Sequence, residues 1–89
     1  MTYRVELTRG AHRDFAVLES DIAQRVLAAL EVLRGNPRPH GSTKLEGEEG
    51  AYRMRVGTYR IKYHIDHGIR RVLVVKIRHR REVYRRALP

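Results

Sequence analysis

The stretch Tyr52–Arg86, YRMRVGTYRIKYHIDHGIRRVLVVKIRHRREVYRR, decides the fold. Its first part alternates strictly. Tyr52, Met54 and Val56 point one way, and Arg53 and Arg55 point the other. Successive side chains of a strand alternate faces, so each set stays together. Gly57-Thr58 supplies a two-residue hairpin loop, with glycine first as a type II′ turn requires. A second alternating run follows: Tyr59, Ile61, Tyr63 and Ile65 against Arg60, Lys62 and His64. Asp66-His67-Gly68 makes the next turn. Alternation through the third run sets Leu73, Val75 and Ile77 on one face and Val72, Val74, Lys76 and Arg78 on the other. The apolar sets can share one core. The other sets then share a strongly cationic face, which suits a polyanion.

Upstream, Tyr3, Val5 and Leu7 alternate with Arg4, Glu6 and Thr8, which predicts a first strand. Thr8 is placed to cap a helix. Ala11, Phe15 and Leu18 then fall on one helical face. Ser20-Asp21 marks a new helix start, and Ile22, Val26, Leu30 and Leu33 form its apolar stripe. Gly35 is expected to end this helix in a left-handed conformation, before Asn36-Pro37. Both stripes read as core packing of an antiparallel helical hairpin laid on one sheet face. From Pro37 to Gly50 the composition predicts a loop, with two prolines, three glycines and the acidic trio Glu46, Glu48 and Glu49. The order strand, two helices, three-stranded antiparallel meander and short basic tail defines a single α+β domain over residues 1–89.

Composition narrows the functional classes. The chain has 89 residues, enough for one modest core. Its 19 Lys+Arg against 10 Asp+Glu give a formal net charge of +9, the electrostatic footprint of a nucleic-acid binder or of a protein that meets an acidic partner. It has no cysteine, hence no disulfide and no thiolate metal site. No run reaches the roughly 18 apolar residues of a membrane span, and no signal peptide is visible, so a cytoplasmic location is expected. His12, His40, His64 and His67 lack metal-ligand spacing and read as surface or turn residues.

Three pieces in order, Lys44-Leu45-x-Gly47, Tyr59-Arg60-Ile61-x-Tyr63-x-Ile65-Asp66 and His79-Arg80-Arg81-Glu82-Val83-Tyr84, resemble the RelE family of bacterial toxins from type II toxin–antitoxin systems. The resemblance covers nearly the whole chain. It implies a microbial-ribonuclease-like α+β fold and an endoribonuclease that cuts messenger RNA, in many members only in the ribosomal A site of the small subunit. It also implies no cofactor and a cognate antitoxin that silences the toxin and, with it, represses their operon. Operator DNA would be met only through that complex.

Carried over residue by residue, the resemblance assigns the basic strand positions to Arg53 and Arg55, the arginine of the YR motif to Arg60, and the terminal basic residue to Arg80, with His79 beside it. The terminal tyrosine is Tyr84. Lys44, Lys62, Lys76, Arg78 and Arg81 are further candidate RNA contacts. Metal-free cleavage through the ribose 2′-OH needs a base, cations for the phosphate and an acid for the leaving oxygen. The arginine fork matches phosphate oxygens, but arginine does not give up its proton. Well-studied relatives carry lysines where this chain has Arg53 and Arg55. Proton transfer therefore falls to Tyr84, His79 or Glu48. Tyr84 would lie among cations that favour phenolate. Histidine as a residue type titrates near neutrality. Glu48 precedes the Arg53 strand, where some members place a carboxylate. The bland readings are a stacking tyrosine, a phosphate-donating histidine and a solvated loop glutamate.

Two other functions share these features. A ParE-like toxin has the same fold and poisons DNA gyrase, but such chains generally lack the Arg60, Arg80 and Tyr84 set. A non-catalytic RNA- or ribosome-binding module needs the charge but no proton transfer. For the antitoxin, alternation offers Val72 and Val74 as apolar anchors on the basic face. The competing expectation is that the loop before Tyr52, or the tail, already covers them.

Overall fold

A computed structural model describes residues 2–80. The basic tail from residue 81 on, and with it Arg81 and Tyr84, lies outside the described residues. Strand β1 (Arg4–Leu7) leads into helix α1 (Arg9–Ala16) and helix α2 (Ser20–Gly35). Strands β2 (Thr43–Lys44), β3 (Ala51–Val56), β4 (Tyr59–Asp66) and β5 (Arg71–His79) follow. They form one five-stranded sheet in the order β1-β5-β4-β3-β2. β1 runs parallel to β5, and the other pairings are antiparallel. The α+β architecture is the one the sequence predicts. The partner of β1 was open in the sequence and proves to be β5.

The caps explain the helix boundaries. Thr8 Oγ1 accepts the Ala11 backbone N–H at 3.1 Å, which satisfies one of the first-turn donors of α1. α2 starts after Glu19 without a side-chain cap, and Asp21 in its first turn faces the positive end of the helix dipole. Its end corrects the expectation for Gly35. That residue is the last helical one and has no positive φ, whereas Asn36 is extended at φ −150° and ψ 101°. A residue before proline is pushed out of the helical region, so Pro37 stops the helix through Asn36. Asn36 Oδ1 then accepts the Arg38 N–H at 3.1 Å.

The core lies between the helices and one sheet face. Ala11, Val26, Leu30 and Leu33 pack with Val56, Ile61, Tyr63, Ile65, Val72, Val74 and Ile77, and Phe15, Leu18 and Ile22 close its margin. Tyr63 is fully buried, and its hydroxyl donates to the Pro37 carbonyl at 2.8 Å. Burial pushes its phenol above the ordinary value of 10.0, against a hydrogen bond from Ser42. That buried bond pins the start of the long loop. Its end is pinned at Gly50, which sits at φ 77°, where a Cβ would stand 3.2 Å from the Ile65 carbonyl oxygen. Between these two anchors the loop folds β2, two residues long, against β3. A strand of that length shows no alternation.

The faces of β5 require the main correction. Val72 and Val74 are both at 0% exposure and face the helices, not the cationic side. The cause is a break in the β4–β5 register: Lys62 pairs with Lys76, but Tyr63 pairs with Val74. Val75 is the extra residue of a β-bulge, and a bulge changes the phase of alternation across it. Residues 76–78 therefore follow the predicted faces, and residues 72–75 are reversed. The uncovered-anchor expectation for Val72 and Val74 fails, because the core covers both.

Candidate nucleic-acid interface

The face of the sheet away from the helices is built by strand register. Arg53 stands opposite Lys62, and Arg55 opposite Arg60. Arg60 stands opposite Arg78, and Lys62 opposite Lys76. Directly paired residues share a face, so all six cations lie on one surface. Five of them, Arg53, Arg60, Lys62, Lys76 and Arg78, line a cavity of 230 Å³ together with Leu45. Leu45 belongs to the Lys44-Leu45-x-Gly47 motif and is held there by its N–H to the Ala51 carbonyl at 2.9 Å. A cavity with cationic walls and one apolar side chain fits a phosphate with a base or ribose beside it.

Two of the five cations are tied to carboxylates. Lys62 Nζ lies 2.8 Å from Glu48 Oε1, and His64 Nε2 lies 3.7 Å from Glu48 Oε2. The hydrogen bond from Lys62 is the main reason the Glu48 carboxyl sits below its ordinary value of 4.5. Such a group stays ionised near neutrality and is a weaker base than a free carboxylate. Arg78 Nε donates to Asp14 Oδ2 at 3.0 Å, and both side chains are largely buried. Asp14 is a residue that sequence pattern did not single out. On an eight-residue amphipathic helix an aspartate reads as part of a solvated face, and nothing local links it to position 78.

The other predicted residues are distributed less evenly. Arg80 is exposed at the hairpin end of the sheet, where its N–H donates to the Thr58 carbonyl at 2.9 Å. With Arg55 and Arg60 it lines a separate cavity of 60 Å³ over Gly57-Thr58. Gly57 has φ 60°, as the predicted turn demands, and the Arg25 guanidinium of α2 approaches it closely. His79 pairs with Tyr59, and their rings meet edge to face at 5.1 Å between centroids. Tyr59 packs against the core, so the His79 imidazole lies on the helix side, across the sheet from Arg78. Lys44 stands opposite Tyr52 on edge strand β2 and so also faces away from Arg53. The structure thus gathers Arg53, Arg55, Arg60, Lys62, Lys76 and Arg78, sets Glu48 at their margin, and separates Lys44 and His79 from them.

A small α+β domain with a cationic sheet face of this kind is built to meet a polyanion or an acidic partner. Residues 5–84 match the family described as ParE toxin of type II toxin-antitoxin system, parDE, and the chain belongs to it. Its relatives are of the RelE type. Toxin RelG of Mycobacterium tuberculosis is 33% identical over 87 residues, covering 97% of this chain and 100% of that protein. Toxin RelE of the same organism is 36% identical over 87 residues, covering 93% of this chain and 87% of that protein. Among solved structures, the archaeal RelE–RelB complex of Pyrococcus horikoshii superposes with a TM-score of 0.81 at 28% identity, over 90% of this chain and 97% of that one. The RelBE2 toxin–antitoxin complex of Mycobacterium tuberculosis gives 0.78 at 29% identity, over 89% and 99%. The chain is a RelE-type toxin.

Proposed function

We propose that this toxin is an endoribonuclease that cuts messenger RNA in the ribosomal A site. The observation that carries the proposal is the convergence of Arg53, Arg60, Lys62, Lys76 and Arg78 on one cavity beside Leu45. In the reaction, the ribose 2′ oxygen attacks the adjacent phosphorus and the bond to the 5′ oxygen breaks. The products are a 2′,3′-cyclic phosphate and a free 5′-hydroxyl. One proton leaves the 2′-OH and one reaches the 5′ oxygen. As charge builds on the phosphate oxygens, fixed guanidinium groups stabilise the transition state more than the ground state. Arg60 and Arg53 are the phosphate clamp in this scheme, because neither is tied to a described carboxylate. The scheme calls for no metal and no cofactor.

Proton transfer is assigned to Tyr84, with Glu48 as the second candidate. Glu48 reaches the margin of the cavity but is committed to Lys62. His79, held against Tyr59 on the other face, is the least suited of the three. Complexes with RelB among the structural neighbours support a cognate antitoxin for this chain also. Its carboxylates would meet the same arginines that bind RNA, so the two ligands would exclude each other.

The test is to incubate programmed ribosomes with the protein and map the new RNA ends. Cuts confined to the A-site codon, with cyclic-phosphate and 5′-hydroxyl termini, are expected. Intact message together with inhibited gyrase supercoiling would instead support the ParE-like activity that the family description brings into question. Ribosome binding without cuts would leave a binding module.

A further inference from the structure

We infer that Asp14 is a positioning residue for Arg78, aiming its guanidinium into the phosphate cavity. The inference rests on the ribonuclease proposal above for its functional consequence. β1 pairs with β5 only as far as Val74, where Thr8 N–H closes the ladder at 2.9 Å. Beyond that point β5 has no strand on this side, and α1 covers its edge. One carboxylate oxygen, Asp14 Oδ2, accepts both the Ile77 backbone N–H and the Arg78 Nε–H, each at 3.0 Å. The first bond satisfies a strand edge that would otherwise be open. The second restrains the end of a side chain that otherwise has many rotamers.

The chemistry of the contact is specific. Arginine has five N–H donors in a fixed fork, and Asp14 takes the one at Nε. A phosphate must then be met by the Nη groups, which are the end of a side chain lining the cavity with Arg53, Arg60, Lys62 and Lys76. Both partners are mostly buried, at 18% side-chain exposure for Arg78 and 15% for Asp14, so the pair is shielded from salt and water. Asp14 also lowers the net charge of the site, which weakens its simple attraction for RNA. A residue kept only to strengthen binding would not do that. Its benefit is orientation: the guanidinium is aligned before the substrate arrives and needs no reorganisation in the transition state.

Asp14→Asn removes the charge and keeps the shape. A carbonyl in the place of Oδ2 still accepts from the Ile77 N–H, a neutral donor, but holds the Arg78 guanidinium only as an uncharged, weaker acceptor. We expect Asp14→Asn to keep the wild-type fold and to bind ribosomes at least as tightly, because a negative charge is gone, while single-turnover cleavage falls about 10–100-fold, as for a misplaced catalytic group. In an Arg78→Ala background, followed at excess protein, Asp14→Asn should cost nothing further. The Arg78 Nε–H resonance should be protected from exchange in the wild type and lose protection in Asp14→Asn. A merely structural Asp14 would slow cleavage equally in both backgrounds, and that additivity overturns the inference. So does an Asp14→Asn protein that cuts at the wild-type rate. A wild type that cuts while Arg78→Ala cuts as fast overturns the role of this pair and leaves the ribonuclease proposal standing. A wild type that leaves ribosomal message intact overturns both.

Discussion

Arg60 stands where both neighbouring strands present cations, opposite Arg55 on one side and Arg78 on the other. It lines both the larger cavity and the small one over the hairpin. A phosphate in either would meet it. Replacing Arg60 with alanine removes a half-exposed side chain from the outer face, so folding is unaffected, while cleavage of ribosomal message should fall by about 10²–10³, the cost of one transition-state donor. Growth arrest by Arg60→Ala at wild-type expression would remove the residue from the site. Tyr84, outside the described residues, is the other single residue on which the mechanism depends. Tyr84→Phe keeps a stacking ring and loses the proton, and Tyr84→Ala loses both. If the hydroxyl transfers a proton, the two variants are nearly equally impaired in single-turnover cleavage, with ribosome affinity little changed. Near-wild-type cutting by Tyr84→Phe would make the ring a stacking platform and pass the proton transfer to Glu48.

At the scale of the element, β5 carries the most information. It spans core, cationic face and covered edge within nine residues. Its bulge at Val75 lets Val72 and Val74 fill the core beside Tyr63 while Lys76 and Arg78 still join Lys62 and Arg60. The reversal of faces gives a direct test. Val74→Thr buries a hydroxyl in an apolar site and should destabilise the protein by about 1–3 kcal/mol. Val75→Thr, on the partly exposed side, should stay within about 0.5 kcal/mol of wild type. Urea unfolding of the two variants decides it, and strict alternation through β5 would give the opposite order. The same bulge lies next to the edge that Asp14 covers, so α1 helps to hold both the phase of β5 and the direction of Arg78.

For the whole molecule, the question is what the formal charge of +9 does. Of the five cations around the cavity, Lys62 and Arg78 are already paired with Glu48 and Asp14. Arg53, Arg60 and Lys76 make no described ion pair and are the strongest candidates to displace counterions from RNA. Single-stranded RNA then predicts a log–log salt slope of about −2 for three phosphate contacts, and about −3.5 if all five take part. A nearly flat dependence of ribosome or RNA affinity on salt would assign the charge to capture of an acidic antitoxin instead. Among the described residues no helix is long and apolar enough to cross a membrane.

The sequence alone determined the element types, most boundaries and one chemical surface. Period-2 alternation and helical stripes are local properties, readable wherever the backbone is regular. Arg53, Arg55, Arg60 and Lys62 could therefore be put on one face from their spacing, and the structure places them there. Three local motifs in order also carried the family resemblance. Only the tertiary structure decided the rest. The parallel partner of β1, the two-residue β2, the phase change at Val75, the seclusion of His79 and the Asp14–Arg78 contact all depend on residues far apart in the chain. A bulge is invisible to a rule that assumes unbroken alternation, because the extra residue is as apolar as its neighbours. An aspartate on a short helix has no local signature that says whether it faces water or an arginine 64 positions away. Long-range contacts of this kind are settled by how the helices pack against the sheet, which no stretch of the chain encodes by itself.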